Sequence, residues 1–260
     1  MEHITSRANP LMTHVRKLVK DRKFRRAENQ MVGEGPKMLE EALRWGAKLD
    51  TVFWATGTVQ MDCPDDVRQV EIPRSLLRDI SSTQTPQGVL FLCTLPTEPL
   101  PEALPGSRYL VLDGLQDPGN VGTLWRTADA FGADGILLLP GCADPWNPKT
   151  LRASMGACFR LPLWETELEP LTGALARGRI PLYATALGET AVDIQSCSLC
   201  PAAVVIGSEG QGVSRRVLTQ CEETLRIPMR PRCESLNAAA AGAVVLWEMG
   251  RQSEGGLAGG

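Results

Sequence analysis

The chain has 260 residues, of which 43% are hydrophobic and 22% are charged, and its formal net charge is −3 at pH 7. This length and apolar content allow a full hydrophobic core, in one large domain or in two small ones. No apolar run approaches a membrane span and the start Met1-Glu2-His3 lacks a signal-peptide core, so we expect a soluble cytoplasmic protein with no membrane partner.

Positive charge is concentrated in the first 30 residues. This segment holds eight Lys or Arg against three acidic residues, a net charge of +5, so the rest of the chain carries −8. The eight are Arg7, Arg16, Lys17, Lys20, Arg22, Lys23, Arg25 and Arg26. Because Lys and Arg displace condensed counterions from nucleic acid, we interpret the segment as a phosphate-binding face, and the motifs farther along the chain favour RNA as its partner. The alternative is a solvated helix face, the usual fate of a charge run.

The N-terminal part predicts a small α/β domain over residues 1–95. A Gly-Pro start followed by helical spacing predicts a helix from Pro36 to Trp45. Apolar runs at Thr51–Ala55 and Gly88–Cys93 predict strands.

A proline-rich segment over residues 96–106 predicts a stiff linker. Its prolines are Pro96, Pro99, Pro101 and Pro105. Each proline fixes φ and removes a backbone donor, so a regular element is excluded there. The segment separates the first domain from a second one over residues 107–251. Residues 252–260 are glycine-rich and predict a disordered tail.

The second domain alternates predicted strands and helices. The strands are expected at Tyr109–Leu112, Gly135–Leu139, Leu182–Ala186, Ala202–Ile206 and Leu225–Ile227. The helices are expected at Val121–Phe131, near Pro148–Ala157, at Leu168–Ala176, from Ser214 and at Leu236–Met249. Alternation of this kind predicts an α/β fold with a largely parallel sheet covered on both faces.

Three glycine- and asparagine-rich motifs lie where predicted strands end. The first is Asp117 to Thr127, the second is Ile206 to Ser214, and the third joins Ile227-Pro228-Met229 to Ser235-Leu236-Asn237. Because open α/β sheets build ligand sites at such strand ends, we interpret the three as one divided active site.

The order of these motifs and their residues resemble those of the SpoU (TrmH) branch of the SPOUT RNA methyltransferases. Val32-Gly33-Glu34-Gly35 and Ser82 to Val89 are similar to a substrate-binding domain of members that act on ribosomal RNA. The resemblance implies methylation of a ribose 2′-hydroxyl with S-adenosylmethionine, and large-subunit ribosomal RNA as the substrate. It also implies a deep trefoil knot, an exception to the rule that chains do not thread loops. It further implies an obligate homodimer with RNA and cofactor sites near the subunit interface.

By this resemblance Gly207, Ile227 and Leu236 line the cofactor pocket. Glycine permits close approach of the main chain, and the two aliphatic side chains offer apolar walls to an adenine ring. The alternative is that both aliphatics are ordinary core residues. A dinucleotide loop fits less well, because the spacing is Gly-x-x-Gly-x-Gly and Glu209 places a carboxylate where a pyrophosphate would sit.

The resemblance marks a set of polar residues as catalytic. They are Asn120, Arg126, Glu209, Ser235 and Asn237. An arginine stays protonated, so we expect Arg126 to clamp the target phosphate and lower the pKa of the hydroxyl, with the general base left open between Glu209, Ser235 and solvent. Asn120 and Asn237 would orient ribose and loops, and Asn120 also suits a helix N-cap before Val121.

The eight cysteines have no regular framework spacing, so we expect reduced and mostly buried thiols. Cys197 and Cys200 form the one close pair, and with Cys221 and Cys233 they offer a zinc alternative that we disfavour. We expect no metal.

Other functions stay open at this stage. Within the same family, the chain could be a transfer-RNA enzyme or a ribosome-protecting antibiotic-resistance methylase. From a different class, it could be a catalytically inactive RNA-binding protein, which the intact polar motif residues argue against. A nucleotide-dependent oxidoreductase would need a ribose-binding acid after a standard fingerprint, and the sequence has none.

Overall fold

The protein is described by a computed structural model that covers residues 1–188, 191–230, 232–233 and 235–253. The chain forms two compact units. Unit 1 consists of Met1–Pro96 together with Asp144–Phe159, and unit 2 consists of Thr97–Ala143 and the chain from Arg160 onward.

The elements are numbered along the chain. The helices are α1 (Pro10–Lys20), α2 (Arg22–Glu28), α3 (Pro36–Arg44), α4 (Arg74–Ile80), α5 (Pro118–Ala130), α6 (Pro148–Ser154), α7 (Leu168–Gly178), α8 (Arg215–Leu218) and α9 (Ala238–Gln252). The strands are β1 (Glu2–His3), β2 (Gln30–Glu34), β3 (Leu49–Ala55), β4 (Arg68–Ile72), β5 (Val89–Thr94), β6 (Arg108–Asp113), β7 (Gly135–Leu138), β8 (Leu163–Glu165), β9 (Leu182–Thr185), β10 (Val192–Asp193), β11 (Ala202–Gly207) and β12 (Glu223–Arg226).

Unit 1 is built on a mixed sheet in the order β1-β4-β3-β5-β2. The strands β1, β4 and β3 are parallel, whereas β5 is antiparallel to both β3 and β2. Helix α1 buries Met12, Val15 and Leu18, which recur every three residues and therefore share one face of the helix. They join strand residues such as Phe53 and Leu90 in one core. The predicted small α/β domain is confirmed in its elements.

Unit 2 is built on a parallel sheet in the order β10-β12-β9-β11-β6-β7-β8. The central strand β11 is buried along its whole length, as expected for a parallel strand with both faces covered. Helix α9 packs against α5, β11 and β6. The predicted α/β class with a parallel sheet is confirmed, and the trefoil knot stays a prediction.

Two helices begin at residues other than those predicted, and side-chain caps explain both. Helix α5 starts at Pro118 and not at Val121, because the Asp117 carboxylate accepts the Gly119 and Asn120 amides and Pro118 occupies the first turn. Helix α9 starts at Ala238 and not at Leu236, because Asn237 is its N-cap.

The C-terminal end of α9 overlaps the segment expected to be a tail. Helix α9 runs to Gln252, whose side-chain amide donates to the Cys197 carbonyl at 3.1 Å. The remainder of the predicted tail, residues 254–260, lies outside the described residues.

The segment 144–159 belongs to unit 1, although the sequence places it inside the second domain. Helix α6 in this segment packs against β2, and Arg152 donates to the Ser82 hydroxyl. Part of the predicted linker is also ordered, because Leu104 is buried in the core of unit 2 and its amide donates to the Ala174 carbonyl at 3.4 Å. The linker 96–106 and the domain limits stay predictions.

Over the described residues, the structure has no helix with the length and apolar character needed to cross a bilayer.

Candidate active site

The second motif forms a closed loop immediately after β11. The Ser208 amide donates to the Gly212 carbonyl at 3.1 Å, and the Gly212 amide returns a bond to the Ser208 carbonyl at 2.9 Å. A Cβ atom at Gly207 would overlap the backbone of Gly212 and Val213, so this turn can form only with glycine at its start. We refer to Ser208–Gly212 as the motif-2 loop.

One face of the motif-2 loop forms a wall of a pocket of about 460 Å³ at the carboxyl ends of the parallel strands. The wall residues are Thr185–Leu187, Ile206–Val213, Leu218, Leu225, Ile227, Met229, Ser235, Leu236, Ala238 and Ala241. Gly207, Ile227 and Leu236, the three residues expected at the cofactor, all lie in this wall. We call this cavity the first pocket.

The three motifs meet through side-chain hydrogen bonds. The Asn120 side-chain amide donates to the Glu209 carboxylate. The Asn237 side-chain amide donates to the side-chain Oδ1 of Asn120 at 3.4 Å. Asn237 is held in turn because its own carbonyl oxygen accepts the Ala239 amide at 2.9 Å. Residues that are 117 positions apart along the chain are thereby joined in one polar cluster.

The polar cluster adjoins the first pocket through Glu209. Glu209 and Ser235 lie in the pocket wall, and Asn120 and Asn237 connect to the wall through Glu209. The interpretation of Asn120 as a helix N-cap is wrong, because Asp117 caps α5 and Asn120 lies within its first turn. The Asn120 side chain is therefore available to hold Glu209.

Arg126 is not brought into this cluster. It lies on α5 six residues after Asn120, which at 3.6 residues per turn is a different face of the helix. Its side chain is exposed, and within the described residues it has no hydrogen bond or ion pair and does not line the first pocket. A phosphate that binds Arg126 must therefore approach α5 from outside the first pocket.

Six of the basic residues expected to bind RNA are exposed, namely Arg7, Lys17, Lys20, Arg22, Lys23 and Arg26. Three of these six also form ion pairs, Arg7 with Asp79 at 3.8 Å, and Arg22 and Arg26 with Asp144 at 3.8 and 3.9 Å. Arg16 is half-buried and donates to the Asp79 carboxylate and to the Arg7 carbonyl. The exposed lysines and arginines of α1 and α2 still give these two helices a positively charged surface.

The prediction that Arg25 binds RNA is wrong. It is 2% exposed and forms an ion pair with Asp144 at 2.5 Å. It also donates to the Leu18 carbonyl at 2.5 Å. A guanidinium held in this way cannot reach an RNA phosphate, so Arg25 instead fixes α2 and the segment that begins at Asp144 within unit 1.

The cysteines do not assemble into a cluster. Among the described residues, no three His, Cys, Asp or Glu side chains come together as a metal-binding group. Burial raises the pKa of Cys221 to about 12 and the pKa of Cys142 to about 11. These thiols therefore stay protonated at neutral pH, which is the condition opposite to that of a reactive thiolate.

Several wall residues had no signal in the sequence. Thr185 and Leu187 reach the first pocket because β9 pairs with β11 and both strands end at the same edge of the sheet. Asp113 accepts the Ser214 amide at 2.7 Å and so ties the end of β6 to the chain after the motif-2 loop. An aspartate at a strand end is common, and the sequence alone did not set it apart.

Comparison with known families gives two matches. Residues 107–247 match the model of the SpoU rRNA Methylase family, and residues 9–90 match an MRM3-like substrate binding domain. Together these matches cover most of both predicted domains.

Named relatives align over nearly the whole chain. An uncharacterized tRNA/rRNA methyltransferase of Synechocystis is 37% identical, with 96% of this chain and 93% of the relative covered. The 23S rRNA (guanosine(2553)-2′-O)-methyltransferase of Bacillus subtilis is 31% identical, with 96% and 99% covered.

Solved structures of similar proteins include cofactor complexes. An rRNA methyltransferase from Sinorhizobium meliloti with bound AdoMet has a TM-score of 0.86 and 29% identity, with 96% of this chain and 97% of that chain covered. The SpoU methyltransferase AviRb from Streptomyces viridochromogenes in complex with AdoMet has a TM-score of 0.82 and 25% identity, with 94% and 98% covered.

Proposed function

Because this chain belongs to the SpoU rRNA methylase family, we propose that it methylates a ribose 2′-hydroxyl of large-subunit ribosomal RNA. The enzyme class, an RNA ribose methyltransferase that uses S-adenosylmethionine, follows from the family. The choice of large-subunit RNA is supported by the Bacillus subtilis relative, whose name states a 23S rRNA target. The meeting of the three motifs at the first pocket carries the proposal.

The first pocket fits S-adenosylmethionine. Its volume of about 460 Å³ lies within the range of small-molecule sites, roughly 300–1,000 Å³. The bare backbone at Gly207 and the side chains of Ile227 and Leu236 give the close approach and the apolar walls that an adenine ring requires. When bound, the cofactor supplies a methyl group carried on a sulfonium sulfur.

The polar cluster orients the acceptor. Asn120 holds the Glu209 carboxylate, and Asn237 holds Asn120, so the direction of Glu209 is set before RNA binds. Preorganisation of this kind saves the entropy of aligning the hydroxyl with the methyl carbon. Glu209 and Ser235 both lie in the pocket wall and can each accept a hydrogen bond from the 2′-hydroxyl, so either can assist loss of its proton.

The exposed guanidinium of Arg126 is our proposed clamp on the target phosphate. A planar guanidinium presents two parallel donors to phosphate oxygens, and its positive charge favours an ionised hydroxyl nearby. Since the side chain does not reach the first pocket of its own chain, the clamp acts only when RNA or a second subunit brings the phosphate to α5.

Two further features are part of the proposal. The protein works as a homodimer, supported by exposed apolar residues on α9, Val244 and Trp247, which are 39% and 50% exposed. It acts in the cytoplasm, which fractionation of cells that express a tagged chain would test.

The decisive experiment compares ribosomal RNA from cells with and without the gene. Ribose methylations are mapped across the large-subunit RNA, the small-subunit RNA and the transfer RNA. One large-subunit 2′-O-methyl group that disappears with the gene and returns with the wild-type gene supports the proposal. Loss of a transfer-RNA methyl group alone would identify a different substrate.

Variants of the cluster connect that methyl group to the site. Asn120→Ala removes the hydrogen bond to Glu209 and should not restore methylation. The control Gln220→Ala removes an exposed carboxamide two residues after α8 and should restore methylation fully. Equal restoration by both variants would remove the polar cluster from the mechanism.

A further inference from the structure

A second cavity also adjoins the motif-2 loop. Its volume is about 330 Å³. The wall consists of the motif-2 loop, the end of β6 at Asp113–Gly114, and the residues Gln116, Gly141 and Ser214. All of these belong to unit 2. We call this cavity the second pocket. Five of its residues do not line the first pocket, namely Asp113, Gly114, Gln116, Gly141 and Ser214.

The two pockets share the motif-2 loop. Ser208 to Gly212 line both, so a group in the second pocket lies against the same loop as a group in the first pocket. Glu209 belongs to both walls and is held by Asn120. A molecule in the second pocket therefore lies next to Glu209, which also lines the first pocket.

The wall chemistry of the second pocket selects against anions. It contains the carboxylates of Asp113 and Glu209, and none of the described residues that form it is Lys or Arg. A phosphate there would meet like charge without a compensating cation. An anionic occupant is therefore disfavoured, and a neutral group with hydrogen-bond donors is compatible with this wall.

The wall also offers hydrogen-bonding groups for a flat ring. Gln116 and Gln211 are exposed, and within the described part of the chain their side-chain amides have no protein partner, so their donors and acceptors are open to solvent and to a ligand. Gly114, Gly141 and Gly210 leave the backbone bare, so a planar group can approach closely. Carboxamides are the side chains that pair with base edges.

We propose that the second pocket is the subsite for the base of the target nucleotide, with Gln116 as a specificity-determining residue. This inference rests on the proposed function. Flipped or single-stranded bases are read by hydrogen bonds to their edges, and two carboxylates in the wall favour a base that presents an amino group. The subsite prefers guanine, adenine or cytosine over uracil.

The placement of Gln116 links base reading to catalysis. It immediately precedes Asp117, the cap of α5, and α5 carries Asn120 in its first turn. A base held at Gln116 leaves its own ribose at the border that Glu209 forms between the two pockets. Correct base recognition therefore positions the 2′-hydroxyl beside the polar cluster.

The first test uses free nucleosides, so it does not depend on knowing the RNA target. Protein saturated with S-adenosylhomocysteine, which blocks the first pocket, is titrated with guanosine, adenosine, cytidine, uridine or ribose 5-phosphate. Side-chain amide signals of Gln116 and Gln211 are followed by nuclear magnetic resonance and assigned with Gln116→Ala and Gln211→Ala. We expect shifts with at least one amino-bearing nucleoside and smaller shifts with uridine and ribose 5-phosphate. Signals that move with none of the nucleosides overturn the proposal.

The second test measures discrimination in the reaction. After the target nucleotide is mapped, transcripts that carry each of the four bases at that position are methylated by wild type, Gln116→Ala and the remote control Gln220→Ala. Loss of one good carboxamide-to-base contact should reduce the preference for the natural base roughly tenfold. Gln220→Ala should keep the preference. Thermal melting confirms that both variants are folded.

The outcomes separate the subsite from the proposed function. If wild type methylates the RNA but Gln116→Ala keeps the same KM and the same base preference, the subsite is wrong and the function stands. If wild type binds no cofactor and transfers no methyl group, the function fails, and the nucleoside titration still decides whether the second pocket binds a base.

Discussion

At the scale of single residues, the site depends on where backbone must approach closely and where polar side chains are held. Gly207 is required because the motif-2 loop folds back onto its Cα, which leaves no room for a Cβ. Asn120 and Asn237 form a chain of hydrogen bonds that ends on Glu209. These contacts are between residues remote in sequence, yet each residue type was recognisable from its motif.

The first residue-scale prediction concerns Gly207. Replacing it by Ala or Val should abolish binding of S-adenosylmethionine, because any side chain overlaps the backbone of Gly212 and Val213 and displaces the pocket wall. Gly173→Ala on α7 is the matched control, since a Cβ at Gly173 makes only ordinary contacts at 3.6 Å or more and this residue does not line the first pocket. Calorimetry measures both. Unchanged affinity in Gly207→Val would contradict the assignment of the first pocket.

The second residue-scale prediction concerns Arg126. Arg126→Ala should reduce turnover by about a hundredfold or more, as expected for a lost positioning and electrostatic group. Affinity for the cofactor should stay nearly unchanged, because Arg126 is not in the wall of the first pocket. Arg126→Lys should restore little activity, since a point charge does not reproduce a planar, two-pronged contact.

A matched substrate completes the Arg126 experiment. RNA with a 2′-deoxy substitution at the target nucleotide should bind but accept no methyl group, because phosphate contacts supply most of the affinity. Methyl transfer to the deoxy substrate would place the acceptor on the base. Near-normal turnover of Arg126→Ala would remove the residue from the mechanism.

At the scale of elements, helices α1 and α2 show how a charge run divides between surface and interior. The apolar positions of α1 face the core, and its lysines remain on the surface. In α2 one of the arginines turns inward to Asp144. The sequence predicts the total charge of this segment, but only packing selects which cation is buried.

The element-scale prediction separates these two roles by charge reversal. Changing Lys17, Lys20 and Lys23 to Glu should weaken RNA binding and flatten its dependence on salt, because fewer counterions are released on association. Affinity for the cofactor should not change. Filter binding across a salt series provides the measurement, and an unchanged slope would leave the three lysines as a solvated face.

Arg25→Ala provides the contrasting variant. It leaves the Asp144 carboxylate, which is 9% exposed, without its closest guanidinium, although Arg22 and Arg26 remain within 3.8 and 3.9 Å. Because these two cations still compensate Asp144, the loss should be smaller than the cost of a buried charge with no partner. The free energy of unfolding should therefore fall, as measured by denaturant titration, while the salt slope of RNA binding stays as in wild type. A variant as stable as wild type would show that Arg25 does not hold this segment in place.

At the scale of the whole molecule, the proposed homodimer rests on the exposed side of α9. Val244 and Trp247 are exposed on α9, the helix that packs against α5. The rings of Trp247 and Phe131 meet edge to face, with 5.6 Å between their centroids. Large apolar residues that share a helix face outside the core are typical of an interface.

The whole-molecule prediction is that wild type has twice the mass of one chain in light scattering and that Trp247→Glu shifts it toward the monomer. A charge buried without a partner at an interface opposes association. Trp45→Glu is the matched control, because Trp45 in unit 1 is 51% exposed and Trp247 is 50% exposed. A monomeric wild type would refute the homodimer, and a dimeric Trp247→Glu would assign the interface to another face.

The sequence by itself determined the parallel α/β class and the place of the three motifs at strand ends, because apolar periodicity sets the strands and glycine marks close backbone approach. The proposed cofactor role of Gly207, Ile227 and Leu236 comes from the family resemblance, and the structure shows that all three line the first pocket. Helix starts were displaced by a few residues where Asp117 and Asn237 supply the caps.

Only the tertiary structure decided which remote residues meet. The bond from Asn120 to Glu209, the burial of Arg25 against Asp144, and the second pocket at Gln116 each join segments far apart along the chain. Such pairings depend on strand order and on side-chain direction, which have no local pattern in the sequence. Periodicity shows that a residue faces inward or outward, and the fold alone supplies its neighbour.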